Sequence, residues 1–101
     1  MSTPYHQVIA HYYAREETTD RVLELLAELA AASRTEEANL SYEFYQGAED
    51  RNHIVILERY TDAVGFATHR ESEHFQRIGF GQIIPLLASR SVEEYGGSTD
   101  A

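Results

Sequence analysis

The sequence contains no cysteine, which excludes disulfide scaffolds, thiolate zinc sites and iron–sulfur clusters. It is also poor in basic residues, with 8 Lys and Arg against 17 Asp and Glu and a net charge of −9. That charge repels phosphate groups, so neither nucleic acid nor an anionic membrane is an expected partner. No apolar run approaches the about 18 residues of a membrane span, and residues 1–13 lack the pattern of a signal peptide. We therefore expect a cytoplasmic protein.

The 101 residues are 43% hydrophobic, which is enough for one modest core in a single domain. We expect this domain to span residues 1–95 and to be followed by a flexible tail at residues 96–101. The sequence contains neither a glycine-rich phosphate-binding loop nor the GxSxG nucleophile motif. We therefore expect no tightly held flavin, NAD or nucleotide cofactor.

The first half of the chain predicts a strand, a helix and a hairpin. Residues 5–15 are rich in Val, Ile and Tyr, which favours a β-strand. Helix-capping residues at 18–20 precede apolar residues at i, i+3, i+4 and i+7, which predicts a helix that fades near residues 33–37. Residues 40–46 predict a strand with Leu40, Tyr42 and Phe44 on one face. A turn at residues 47–52 connects it to the most regular strand, residues 53–60.

The second half predicts shorter elements. Thr61 and Asp62 can cap a short helix with Ala63, Phe66 and Ala67 on one side. Ser72 can open a further helical turn with Phe75 and Ile78 facing inward. We expect Gly79, Gly81 and Pro85 to break the structure that follows, and residues 90–95 to form a short last strand.

The element order strand–helix–strand–strand–helix–strand predicts an α+β, ferredoxin-like βαββαβ fold with helices on one face of an antiparallel sheet. The first and third strands are apolar on both faces, although helices can cover only one. We therefore expect a homodimer in which a second sheet covers the other face. The alternative is that residues 80–89 provide this cover.

Glu58 is the most informative polar residue. It follows Ile54 and Ile56 on one face of a strand, so its carboxylate needs a partner or a proton. His69, in the next helical segment, is the expected partner. Such a pair can be catalytic, or it can serve only to fix the helix onto the sheet.

The five histidines offer metal ligands, but we expect no metal site. His6 and His11 face opposite sides of a strand. His69 and His74 are five residues apart, about 140° around an ideal helix, so they converge poorly.

Three segments resemble the antibiotic biosynthesis monooxygenase family. Residues 39–45 (NLSYEFY) are similar to its second strand, residues 56–62 (ILERYTD) to its third, and residues 69–75 (HRESEHF) to its H-x-x-S-x-H-F segment. The order and spacing of all three make the resemblance fairly specific over residues 7–95. Tyr60 stands where the family has Trp. In the haem-degrading branch a ligating His falls near the position of Gly79, so haem degradation is not expected.

The resemblance implies a dimeric α/β barrel with a pocket between sheet and helices. Members of the family include enzymes that oxidise polycyclic phenols to quinones with O₂ and without a metal or prosthetic group. By position, the expected catalytic residues are His69, Glu58, Tyr42 and Asn39, and the expected substrate-binding residues are Tyr60, His74, Phe44 and Phe66.

We therefore expect a cofactor-independent monooxygenase that oxidises a small phenol, hydroquinone or anthrone. His69, poised by Glu58, would be the base, and Asn39 would donate to an oxyanion. One alternative is an isomerase or other non-oxidative enzyme for a small carbonyl metabolite, with Arg59 or Arg70 in its pocket. The other is a non-enzymatic dimer that binds a small molecule.

Overall fold

The computed structural model describes residues 2–100 and contains a four-stranded antiparallel sheet with helices on one face. The strands lie in the order β2-β3-β1-β4. The elements are β1 (Ser2–Ala14), α1 (Thr19–Ser33), β2 (Asn39–Gln46), β3 (His53–Tyr60), α2 (Ala63–Glu71), the π-type helix α3 (Phe75–Ile83) and β4 (Leu87–Asp100), with 3₁₀ turns at Glu16–Thr18 and Ile84–Leu86. The predicted α+β, ferredoxin-like fold is confirmed. None of the described helices is long and apolar enough to cross a membrane.

The core lies between the sheet and the helices. Successive residues of a strand point to opposite faces, and the buried residues of β3 alternate with partly exposed ones along its whole length. Helix α1 adds the predicted apolar stripe, since Val22, Leu25, Leu26 and Leu29 are all buried. Burial of one such side chain contributes about 1.5–3 kcal/mol, so these contacts hold α1 on the sheet.

The predicted break at Gly79 and Gly81 is wrong, because α3 runs through both residues. Gly79 is buried, and a Cβ atom added to it would lie 2.9 Å from the Phe75 ring. The glycine therefore allows close packing within the helix instead of ending it. Pro85 lies in the 3₁₀ turn that follows, where the structure does change.

The last strand is longer than predicted. β4 begins at Leu87 and pairs with β1 as far as Asp100, which lies opposite Ser2. The expected flexible tail is therefore wrong for residues 96–100, while Ala101 lies outside the described residues. Intrinsic propensity disfavours glycine in strands, but the tertiary contact overrides it here: a Cβ atom on Gly97 would lie 2.6 Å from the Tyr5 ring.

The outer face of the sheet carries Ile9, Val55 and Leu57, which are only partly buried. Ile9 lies opposite Leu57 in the β1–β3 register, so these side chains form a continuous apolar surface. Leu86 and Leu87 pack against the core between sheet and helices, so they do not cover this surface. On β2, Leu40 does not share the inner face of Tyr42. A register shift between Asn39 and Ser41 leaves it 52% exposed.

We predict that Gly65→Ala destabilises the protein although alanine is the better helix former. An added Cβ atom would lie 2.7 Å from the Ala38 Cβ and 3.2 Å from the Tyr60 Cβ, and such overpacking costs about 1–3 kcal/mol. Urea unfolding at neutral pH measures the loss. Gly96→Ala is the matched control, since nothing lies within 4 Å of its added Cβ. Equal stability of the two variants would contradict the prediction.

Candidate active site

Glu58 and Tyr60 lie on the inner face of β3, as the alternation of the strand requires. Both side chains are buried, and Glu58 is only 5% exposed. The Tyr60 hydroxyl donates a hydrogen bond to Glu58 Oε1 at 2.7 Å. The carboxyl group that was expected to need a partner therefore has one on its own strand.

His69 lies in the last turn of α2 and is 1% exposed. Its Nε2 atom is 3.7 Å from Glu58 Oε1, so the two expected partners are neighbours without a hydrogen bond. The Nδ1 atom is instead 2.8 Å from Glu36 Oε2. Sequence reasoning missed Glu36, which follows α1 in the stretch before β2. Nothing in the local pattern distinguishes it from the adjacent exposed Glu37.

His74 converges on the same carboxylate, because its Nε2 atom hydrogen-bonds Glu36 Oε2. The expected 140° separation of the two histidines assumed one continuous helix, but α2 ends at Glu71. Ser72 has extended backbone angles (φ −64°, ψ 152°), which redirect the chain. The Ser72 hydroxyl donates to the His69 carbonyl at 2.6 Å and accepts from the Phe75 N–H at 3.2 Å, so it links the two helices.

Glu36, His69 and His74 could also hold a metal ion. One ligand atom from each lies within 4.8 Å of the others. Two imidazoles and a carboxylate are the donor types of many zinc and non-haem iron sites. In the structure both imidazoles are hydrogen-bonded to one carboxylate oxygen, and the other oxygen, Glu36 Oε1, is buried without a hydrogen-bond partner among the described residues.

A cavity of about 430 Å³ lies beside these groups, within the size range of small-molecule sites. Its lining includes the polar residues Tyr12, Tyr42, Glu58 and His69, the aromatic residues Phe66, Phe75 and Phe80, and the charged residues Arg70, Arg90 and Glu94. The space beside Glu58 and His69 argues against the alternative that they are only a buried structural pair.

The expected site residues divide into two groups. His69, Glu58, Tyr42 and Phe66 line the cavity, whereas Asn39, Tyr60, His74 and Phe44 are not among its described lining residues. Tyr60 is hydrogen-bonded to the lining residue Glu58, and His74 is linked through Glu36 to the lining residue His69. Phe44 packs against the core, and the Asn39 amide donates to the Ser41 carbonyl at 3.2 Å, at the register shift of β2.

Burial changes the protonation of both central groups. Burial is the main reason that the pKa of Glu58 is raised from 4.5 to about 7. The hydrogen bond from Tyr60 lowers this pKa, and the charge of Glu36 raises it. Burial lowers the pKa of His69 below 6.5, against the hydrogen bond and charge of Glu36. Near neutral pH, His69 is therefore neutral and Glu58 carries a proton in much of the population.

The hydrogen bond to Glu36 also selects the tautomer of His69. An ionised carboxylate only accepts hydrogen bonds, so Nδ1 carries the proton and Nε2 keeps its lone pair. That lone pair lies on the Glu58 side of the ring. The arrangement provides a neutral imidazole base beside an aromatic cavity, with a protonated carboxyl group within reach.

Comparisons with known proteins match most of the chain. The family profile described as "Antibiotic biosynthesis monooxygenase" matches residues 6–79. A Bacillus subtilis (strain 168) protein named "Putative monooxygenase YcnE" is 30% identical over 67 residues, covering 66% of this chain and 70% of its own. The structure of Rv0793 from Mycobacterium tuberculosis is 26% identical with a TM-score of 0.86, covering 96% of this chain and 98% of its own. A crystal structure titled antibiotic biosynthesis monooxygenase is 28% identical with a TM-score of 0.78, covering 95% and 97%.

The raised pKa of Glu58 predicts that this residue's contribution to stability falls with rising pH. Between pH 4.5 and about 7 the folded state binds a proton at Glu58 that the unfolded state has lost, so the contribution of Glu58 to stability is greatest below 4.5 and declines through this window. Relative to Glu58→Gln, the parent should lose about 3 kcal/mol of unfolding free energy across it. Urea unfolding at several pH values measures both proteins, and a pH-independent difference would contradict the prediction. The comparison with Glu58→Gln removes the opposite contribution of His69, which is common to both.

Proposed function

The chain belongs to the antibiotic biosynthesis monooxygenase family, and from this premise we propose that it is a cofactor-independent monooxygenase. Its proposed substrate is a small phenol, hydroquinone or anthrone, its oxidant is O₂ and its location is the cytoplasm. The observation that carries the proposal is the Glu36–His69 pair. It leaves the His69 Nε2 lone pair beside an aromatic-lined cavity.

The proposed reaction begins with proton transfer from the substrate to His69 Nε2. For an anthrone, the resulting carbanion is electron-rich and forms a C–O bond with O₂, which it reduces to a peroxide. Loss of the second proton from that carbon then breaks the O–O bond, leaves a C=O group and releases water. One CH₂ group and one O₂ therefore give one C=O group and one H₂O, and the substrate supplies all the electrons.

The other residues divide the remaining tasks. Glu58 is positioned to donate a proton to the peroxide oxygen, because its carboxyl group lines the cavity and carries a proton in much of the population near neutral pH. Tyr42 lines the cavity with its ring 5.9 Å from the His69 ring, where it can contact a flat substrate. Glu36 and His74 act as positioning residues. Asn39 is given no role, since its amide is bound to the Ser41 carbonyl.

A non-oxidative enzyme is the second candidate, and the position of Arg70 favours it. That alternative expected Arg59 or Arg70 in the pocket. Arg70 lines the cavity, whereas Arg59 donates to Gln7 at 2.8 Å and lies over the Tyr5 ring. Turnover of a small carbonyl compound without O₂ would identify this activity.

We propose that the outer face of the sheet packs on a second copy of the chain. The support is the apolar surface around Ile9, Val55 and Leu57, which all the described helices leave uncovered. Tyr13 and Tyr45 add exposed aromatic area. Sheets packed face to face interdigitate such side chains at a spacing of about 10 Å.

Oxygen consumption by chelator-treated protein tests the catalytic proposal, with anthrones, naphthols and hydroquinones as substrates. We expect His69→Ala to lower kcat/KM by about a hundredfold or more, as for a lost general base. Glu36→Gln should lower it by about tenfold or more, because the amide no longer selects one tautomer of His69. Glu37→Gln is the matched control, since its exposed carboxylate lies one residue away.

Two results would count against this proposal. Unchanged turnover in His69→Ala would exclude it as the base. Loss of turnover on chelation, with recovery on adding Zn²⁺, Fe²⁺ or Mn²⁺, would exclude metal-free chemistry and indicate a metal at Glu36, His69 and His74.

Light scattering after size exclusion tests the dimer. We expect the parent to have about twice the 11.5 kDa mass of one chain, and Leu57→Glu to be a monomer because it places a charge in the apolar surface. Val64→Glu is the control, since Val64 is 70% exposed on α2. A monomeric parent, or a dimeric Leu57→Glu variant that is folded by circular dichroism, would contradict the proposal.

A further inference from the structure

Two of the arginines of this chain line the cavity and form no ion pair with a described residue. The sequence has no lysine, so all 8 basic residues are arginines. Four form ion pairs with carboxylates, namely Arg21, Arg34, Arg51 and Arg77. Within the described part of the chain the other four, Arg15, Arg59, Arg70 and Arg90, form none, and two of these, Arg70 and Arg90, line the cavity.

Two different elements carry these cations to one place. Arg70 follows His69 on α2, and its Cζ atom lies 5.7 Å from the centroid of the Phe66 ring. Arg90 lies on β4 directly opposite Tyr12, another lining residue, in the β1–β4 register. The cavity therefore combines aromatic rings with two guanidinium groups.

Neither carboxyl group that lines the cavity forms an ion pair with these arginines. Glu58 is buried, and its pKa is raised to about 7. The carboxylate of Glu94 is hydrogen-bonded to His6 at 2.8 Å. In a protein of net charge −9, these two arginines outside ion pairs make the cavity a local concentration of positive charge, and such a concentration attracts anionic ligands.

We propose that Arg70 and Arg90 bind a carboxylate of the substrate, so that the substrate is an aromatic hydroxy acid and not a neutral phenol. This inference rests on the proposed function, because it concerns the ligand of the same cavity. A guanidinium group forms two parallel hydrogen bonds with a carboxylate, which fixes orientation as well as affinity. The carboxylate would lie between the arginines, with the ring against Phe66 and Phe75 and the hydroxyl group towards His69.

Calorimetric binding under nitrogen tests this assignment without turnover. The ligands are 1-hydroxy-2-naphthoate and 1-naphthol, which share a ring and a hydroxyl group and differ in the carboxylate. We expect the acid to bind about tenfold more tightly or better, as a charge-assisted pair of hydrogen bonds provides. High salt should reduce this preference because it screens exposed charges.

Single variants locate the effect. Arg70→Gln and Arg90→Gln should each weaken binding of the acid by about tenfold and leave naphthol affinity unchanged. Arg21→Gln is the matched control, because Arg21 is exposed on α1 and pairs with Glu24. Arg70→Lys should fall between parent and Arg70→Gln, since lysine keeps the charge but loses the planar pair of donors. Circular dichroism confirms that each variant is folded.

Three outcomes would overturn the inference. Equal affinity for the acid and for naphthol would show that the cavity does not recognise the carboxylate. Equal loss of both ligands in Arg70→Gln and Arg90→Gln would assign the arginines to the ring or hydroxyl group. Tighter binding of 1-naphthyl phosphate than of the hydroxy acid would show that the arginines prefer a phosphate to a carboxylate. Absence of oxygen consumption would instead count against the proposed function alone, because binding is measured separately.

Discussion

The site depends on one carboxylate that accepts hydrogen bonds from two imidazoles. Glu36 lies in the connection between α1 and β2. His69 lies before the end of α2 at Ser72, and His74 lies after it. The shared oxygen holds together segments that are distant in sequence. It also fixes the tautomer of His69, so a structural contact and a chemical property have the same origin. Removing the carboxylate would leave the buried Nδ1 atom of His69 and the partly buried Nε2 atom of His74 without this acceptor, and the loss at a buried atom costs more than a lost surface contact.

The protonation pattern follows from burial more than from ion pairing. Glu58 and His69 lie within 3.7 Å of each other, yet burial favours the neutral form of both. Each group thereby avoids the large cost of an isolated buried charge. An imidazole with a free lone pair next to a carboxyl group with a proton can accept and donate in one site. Because Glu58 must lose its proton as the pH rises above neutral, the same arrangement lowers the stability of the protein there, and functional sites commonly have such a cost.

The sequence predicts the fold well, because its periodicity is strong where the core is strong. The pattern predicts β3 at residues 53–60, where the structure has it, and the apolar stripe of α1 is buried as expected. The errors in element bounds fall at glycines. The sequence predicts a break at Gly79 and a tail at Gly97, but each glycine lies in close contact with an aromatic ring, Phe75 or Tyr5. A glycine that admits a ring and a glycine that ends an element look the same in one sequence.

The candidate site was only partly accessible from sequence. Glu58 and His69 could be found, because a carboxylate on an apolar face and a family motif both indicate them. Glu36 could not, since its role depends on the tertiary position of a connection and not on spacing. The approach of His74 to the same carboxylate was missed for a related reason. It requires the extended backbone at Ser72, and helical spacing assumes that no such break occurs.

The pairing of Ser2 with Asp100 has a consequence for the connectivity of the domain. β1 and β4 run antiparallel along their whole lengths, so the first and last described residues are cross-strand neighbours. A short peptide could join them without crossing the sheet, and new ends could be opened in the turn between β2 and β3, which is largely exposed. Domains with adjacent ends tolerate circular permutation. We therefore expect the fold to depend on the order of the strands in the sheet more than on their order along the chain.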